Sequence, residues 1–288
     1  MAYENVKRMI KKAYQEGYAV GHFNMIDLIW AKTILTTCQE KNSPVIIGAS
    51  EGAIKFMGGY NVAANVIKSL VIDLKLTIPV ALHLDHGSCY EACEKAIVAG
   101  FSSVMIDKSS LPLAENIRET QRVVELATKY DVSVEAEIGF IGGEEEGVVN
   151  EVLYAKVEDC VQFNKEVKVD MFAPALGSVH GHYKGKPKLG FKQMEEINRL
   201  VKVPLVLHGA SGIPDELVKK AIARGIAKVN TSTDAMDSYN RGLHEFYQNH
   251  LDELEKGYDP RKHIKYGNKF MREAILKKIE LFGSANKA

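Results

Sequence analysis

A chain of 288 residues with 46% hydrophobic and 26% charged residues has the composition of a folded globular protein with enough apolar mass for a sizeable core, which excludes a disordered or membrane-embedded chain. Thirty-seven lysines and arginines balance thirty-seven aspartates and glutamates, so no net field draws nucleic acid or an anionic membrane, and an anionic ligand must be held by local groups. Four cysteines (Cys38, Cys89, Cys93 and Cys160) without a CxxC pair exclude a disulfide scaffold.

The N-terminal stretch MAYENVKRMIKKAYQEGYAV is amphipathic and lacks the apolar core of a signal segment, and no run approaches a membrane span, so a cytoplasmic protein is expected. Short apolar, β-branched runs then recur at Tyr18 to Asn24, Pro44 to Ser50, Pro79 to His86, Ser103 to Asp107, Ser133 to Gly139, Met171 to Gly177, Pro204 to Gly209 and Ala227 to Thr231. The segments between them carry helical spacing. In LPLAENIRETQRVVELATKY, for example, Leu113, Ile117, Val124 and Ala127 share one stripe at about 100° per residue.

Alternating strands and helices require parallel pairing, and eight units close most simply into an α/β fold of the (β/α)₈ TIM-barrel type, one domain over residues 1–288. An open doubly wound sheet is the alternative, but no glycine-rich dinucleotide turn follows the first strand. Residues Ile141 to about Val152 read as a long loop, and an additional C-terminal helix is expected over about Tyr266 to Phe282.

In such a barrel the loops after the strands build the active site. Asp85 and His86 end the third strand, Asp107 the fourth and His208 the seventh; Glu135 and Glu137 lie on the fifth, and His180 follows the sixth. Histidines converging on one rim suit Zn²⁺, whose catalytic sites use three protein ligands. His86, His180 and His208 are assigned to that set, with His182 of the His-Gly-His triplet a competing ligand. Asp85, on the opposite strand parity from His86, is read as an acid/base group, with a hydrogen bond to a metal-bound histidine as the alternative. Glu137 and Asp107 are alternative ligands, a second cation site, or charge balance at the barrel mouth. The acidic run Glu144-Glu145-Glu146, flanked by glycines, is either a solvated turn or a closing loop that delivers a carboxylate. Two later turns, His208-Gly209-Ala210-Ser211-Gly212 and Asn230-Thr231-Ser232-Thr233, suit phosphate.

Taken together, YAVGHFN, SEGAIKFMGGY, HLDHGS, VEAEIGFIGGEEEG, APALGSVHGHYKGKPKLGF, LVLHGASGIP, KVN, YDPRK and FGSANKA resemble the class II, zinc-dependent ketose-bisphosphate aldolases, above all the class IIb fructose-bisphosphate aldolases, over essentially the whole chain. The resemblance implies His86, His180 and His208 as ligands of a catalytic zinc, Asp85 as proton donor, and Asp107 and Glu137 at a second or alternative metal position. It implies Glu145 as the proton carrier at the ketose carbanion. Gly181, Gly209, Ala210, Ser211, Asn230, Thr231, Ser232 and Thr233 match the dihydroxyacetone-phosphate region, often with a monovalent cation nearby. Ser50 matches a residue on the aldehyde side, Arg261 one that meets the second phosphate, and Asn24 contributes less directly. Lys108-Ser109-Ser110 after the fourth strand, Ser232 and Ala210 depart from the fructose-bisphosphate pattern, and Ala210 looks like relatives acting on tagatose bisphosphate.

The expected reaction is reversible cleavage of fructose 1,6-bisphosphate to two triose phosphates, with tagatose 1,6-bisphosphate or another ketose phosphate as the alternative substrate. The partners expected are a phosphorylated sugar and further copies of the chain in a homo-oligomer, with no nucleic acid and no membrane. Competing readings are a metal-dependent hydrolase, a Schiff-base aldolase using Lys108 or Lys228, and a silent metal-binding or interaction protein.

Overall fold

The computed structural model describes residues 2–139, 141–145, 148–150, 154–183 and 185–288, with the backbone alone described over 142–145 and 148–150. Its strands in chain order are β1 (Val20–Asn24), β2 (Val45–Ser50), β3 (Val80–Gly87), β4 (Ser103–Ile106), β5 (Ser133–Ile138), β6 (Gly142–Glu145), β7 (Val148–Asn150), β8 (Met171–Pro174), β9 (Val179–His180), β10 (Leu205–Leu207) and β11 (Ile226–Thr231). A closed parallel barrel runs β1-β11-β10-β8-β5-β4-β3-β2, with helices between successive barrel strands. All eight predicted strands are in it. Pro44, Pro79 and Pro204 stand just outside β2, β3 and β10, because proline has no N–H to give a ladder.

Alternation divides the barrel by depth. At the N-terminal mouth Val20, Ile46, Ala81, Met171 and Val206 meet Val6, Met9, Ile10 and Ala13 of the segment that forms helix Lys7–Glu16, an apolar plug that closes this end. Burying each large side chain there contributes about 1.5–3 kcal/mol. Higher up, the lining turns polar with His22, His83, Glu135 and Lys228, all fully buried, and the rim carries the candidate chemistry.

Three local readings change. Residues 142–145 and 148–150, expected as loop, pair as an antiparallel hairpin, with Gly143 opposite Asn150, and β9 adds in parallel to β6. In helix Leu113–Lys129 the buried face takes in Asn116, Thr120 and Val123, while Leu113 and Val124 flank it. Asn116 Nδ2 donates to the Glu137 carbonyl at 2.9 Å, which ties the helix to β5, and Asn116 Oδ1 accepts from Thr120 Oγ1 at 3.1 Å. The last helix spans Pro260–Phe282, earlier than expected, because the Asp259 carboxylate caps Arg261 N–H at 3.0 Å and Pro260 occupies the first turn. Met271, Ile275, Ile279 and Phe282 seat it in the main core. Among the described residues no helix is long and apolar enough to cross a membrane.

Candidate active site

His86 has φ +48°, a left-handed conformation that costs of order 1–3 kcal/mol for a side chain of this kind, at the point where the pairing of β3 with β4 shifts register. The break in alternation brings its ring to the rim together with Asp85, and the two approach to 4.0 Å. Consecutive residues of a regular strand would face opposite ways.

The rings of His86, His180 and His208 lie 5.1, 4.7 and 6.0 Å apart in the pairs 86–180, 86–208 and 180–208. One nitrogen from each falls within 4.8 Å of the others. His86 Nδ1 is 2.9 Å from Asp107 Oδ2, and His208 Nε2 is 2.7 Å from Glu135 Oε1. Each carboxylate accepts a proton-bearing nitrogen, so the remaining nitrogens, His86 Nε2 and His208 Nδ1, present lone pairs toward each other at 2.9 Å. Two facing lone pairs call for a shared cation, and three imidazoles are a donor set that suits a divalent transition metal. Burial of His208 lowers its pKa, opposed by Glu135, and so favours the neutral ring a metal needs.

Asp107 has both oxygens engaged, one with His86 and the other with Ser109 N–H and Oγ at 3.0 and 2.7 Å. Burial works against its charge, but the His86 and Ser109 hydrogen bonds outweigh it and hold the carboxyl well below its usual range. Donor atoms of His86, Asp107 and Glu137 also lie within 4.8 Å of one another. Asp85 accepts from Asn24 Nδ2 at 2.7 Å and from Asn230 Nδ2 at 3.3 Å. Burial again opposes ionisation, and the neighbouring imidazoles with Lys228 more than offset it.

A rim cavity of about 260 Å³ joins these groups. Ser50, Asp85, His86, His180, Gly181 and His208 line it, and so do Gly209, Ser211, Asn230, Ser232 and Thr233. Ser50 also caps helix Glu51–Met57, its Oγ accepting from Ala53 N–H at 3.2 Å. Gly209, at φ +59°, passes so close to the Val179 carbonyl that a Cβ would collide with it. Tyr183 braces the same crossing, accepting from Val179 N–H at 3.1 Å and donating to the Gly209 carbonyl at 2.9 Å. Thr231 and Ala210 are buried behind the cavity, with Thr231 Oγ1 3.3 Å from Ser211 Oγ. Helix Thr233–Gln248 begins at the cavity wall, and a helix N-terminus favours an anion.

Other assignments fall elsewhere. His182 turns outward after Gly181 and pairs with Asp237 at 2.9 Å, away from the three rings. Arg261 is exposed, paired with Asp259 at 2.7 Å, and absent from the cavity wall. The side chain of Glu145 lies outside the described residues. Lys228 is fully buried against Glu135, where no substrate carbonyl reaches it, and Lys108 donates to the Ser88 carbonyl at 2.5 Å. Residue order gives Glu135 and Lys228 no shared role; they meet because β5 and β11 face one another across the closed barrel.

Fold and rim define a (β/α)₈ barrel with a metal-type histidine site. The family model described as "Fructose-bisphosphate aldolase class-II" matches residues 4–287, and the chain belongs to that family. It is 46% identical over 289 residues to the fructose-bisphosphate aldolase of Geobacillus stearothermophilus, covering 100% of this chain and 99% of that one. It is also 46% identical over 288 residues to the 6-phospho-5-dehydro-2-deoxy-D-gluconate aldolase of Bacillus subtilis strain 168, covering 100% and 98%. The crystal structure of the YdjI aldolase from Escherichia coli K12 superposes with a TM-score of 0.86 at 29% identity, covering 99% of each chain.

Proposed function

We propose that the protein cleaves fructose 1,6-bisphosphate reversibly to dihydroxyacetone phosphate and glyceraldehyde 3-phosphate. The observation that carries this reading is the meeting, in one cavity, of three imidazoles, the Asn-held Asp85 and the two turns after β10 and β11. His86, His180 and His208 would hold a divalent cation, zinc in our reading, which supplies Lewis-acid polarisation of the ketose oxygens when bound.

Asp85 takes the proton of the C4 hydroxyl as the C3–C4 bond breaks; the bonding electrons pass into the dihydroxyacetone phosphate half as an enediolate, and C4 leaves as the aldehyde. Glu145 returns a proton to C3. Asp107 orients His86 and, with Glu137, offers a second cation position. Gly181 and Gly209, with Ser211, Asn230, Ser232 and Thr233, hold the ketose phosphate, Ala210 and Thr231 back these turns from behind the cavity, and Ser50 meets the aldehyde half. Arg261 reaches the second phosphate only after leaving Asp259. Fixed phosphate and carbonyl positions lower the barrier by pre-organisation.

A second reading is favoured by the equal identity to the deoxygluconate-phosphate aldolase. That substrate carries the same ketone, phosphate and β-hydroxyl, so the same bond scission releases dihydroxyacetone phosphate, with 3-oxopropanoate in place of the triose phosphate. Metal-loaded protein assayed on fructose and tagatose 1,6-bisphosphates and on 6-phospho-5-dehydro-2-deoxygluconate separates the readings by co-product. The highest kcat/KM is expected for fructose 1,6-bisphosphate; preference for the carboxylate-tailed substrate would favour the second.

A further inference from the structure

Glu135 on β5 and Lys228 on β11 are fully buried and take no part in the reaction described above. Lys228 Nζ lies 2.8 Å from Glu135 Oε2, an ion pair sealed from solvent. His83 Nε2 stands 3.6 Å from the same oxygen, and its Nδ1 is 2.7 Å from Ser103 Oγ. Charge balance needs only this half of the carboxylate. Its other oxygen, Oε1, is 2.7 Å from His208 Nε2. On the far side of that ring, Nδ1 is 3.1 Å from Asn230 Nδ2, a donor, and 2.9 Å from His86 Nε2.

We propose that Glu135, anchored by Lys228, is a positioning residue that fixes His208 as the Nε2–H tautomer and so presents its Nδ1 lone pair to a divalent cation. The inference rests on the reading of His208 as a metal ligand. An ammonium offers donors only, so it holds the oxygen that faces it, and the remaining oxygen can do nothing but accept from the imidazole. The pair thus sets which nitrogen of His208 is bare, through a group that touches neither metal nor substrate.

The polarity of the network supplies the test. In Glu135→Gln the amide oxygen stays with Lys228, which turns the amide NH₂ toward His208 and demands a bare Nε2, hence the Nδ1–H tautomer that cannot ligate. Adding Lys228→Met removes that demand. The amide can then rotate, with His83 changing tautomer against the Ser103 hydroxyl, and give its oxygen back to His208.

The full-length protein, labelled with ¹⁵N-histidine, is stripped of metal and read by two-bond ¹H–¹⁵N correlation, with the His208 signals identified by their loss in His208→Ala. Zn²⁺ affinity is measured on the same samples by chelator competition. Wild type is expected to show Nε2–H, and Glu135→Gln Nδ1–H with Zn²⁺ bound about 10–100-fold more weakly. The double variant is expected to recover Nε2–H and most of the affinity. An unchanged tautomer and affinity in Glu135→Gln overturns the proposal, as does a double variant that folds yet stays on Nδ1–H. If Glu135→Gln does not fold, the double variant alone decides, since it must match wild type in tautomer. His208→Ala serves as the separate control: wild-type Zn²⁺ affinity there sinks the ligand reading, whereas the tautomer result concerns Glu135 alone.

Discussion

Oδ2 of Asp85 accepts from Nδ2 of Asn24 at 2.7 Å, a contact that reaches from β3 to β1 around the barrel. A carboxylate that moves a proton must keep one direction of approach, and this bond with its weaker partner from Asn230 holds Asp85 in place. Asn24→Ala removes one hydrogen bond to a charged group, worth about 1.5–3 kcal/mol, so kcat is expected to fall roughly 10–100-fold with little change in KM. Steady-state kinetics on fructose 1,6-bisphosphate check this. A raised KM with unchanged kcat would make Asn24 a binding residue instead.

Removal of the carboxylate itself goes further. Asp85→Ala is expected to keep its metal and fold while turnover drops roughly 10²–10⁴-fold, the span of a positioned acid/base group. Metal content and activity are measured on one preparation. Loss of metal equal to that in His86→Ala would show Asp85 coordinating the ion.

The phosphate turn depends on one close crossing. Gly209→Ala places a Cβ on the Val179 carbonyl at a positive φ, so backbone must shift, at a cost of about 1–3 kcal/mol. Chemical denaturation should show that loss, and calorimetric titration should show weakened binding of dihydroxyacetone phosphate. Wild-type binding would mean the turn does not touch the phosphate.

The barrel was legible because every strand is a short apolar run in a strict alternation with helices, and the rim histidines because strand ends are where such a barrel places polar groups. Three features were not. The left-handed φ of His86 is a backbone event with no residue signature, since histidine is not glycine, and without it Asp85 and His86 point apart. The meeting of Glu135 with Lys228 depends on which strands face across a closed barrel, and residue order alone carries no such distance. The pairing of β6 with β7 was hidden because its glycines and glutamates have poor strand propensity and, among the described residues, its one further partner is β9.

Acid sensitivity should trace in part to His22. It is fully buried, and burial with the nearby Lys228 lowers its pKa from 6.5 to about 3, against the pull of Asp85 and Glu135. Between those values the unfolded chain binds a proton that the folded chain refuses, so folding stability falls as pH falls through this window, by about 1.4 kcal/mol per unit at most. Urea unfolding at pH 7 and pH 5 is expected to show a smaller loss in His22→Gln than in wild type. Identical losses would show that another group sets the slope.

The last expectation concerns Glu145. Gly143 pairs with His180 where β6 runs beside β9, so residue 145 lies two positions further along that strand, about 7 Å beyond the register of a proposed ligand. Glu145→Gln should therefore slow exchange of a C3 hydrogen of dihydroxyacetone phosphate with solvent deuterium, while binding of the same compound stays near wild type, because phosphate and metal contacts come from other strands. Glu144→Gln and Glu146→Gln are the controls: they carry the same charge change within the same acidic run. Equal slowing in all three would reduce the run to a general negative field, and the proton carrier would then have to be found among the buried carboxylates. Slowing confined to Glu145→Gln, with cleavage of the C3–C4 bond itself less affected, separates the two proton transfers and leaves Asp85 with the hydroxyl alone.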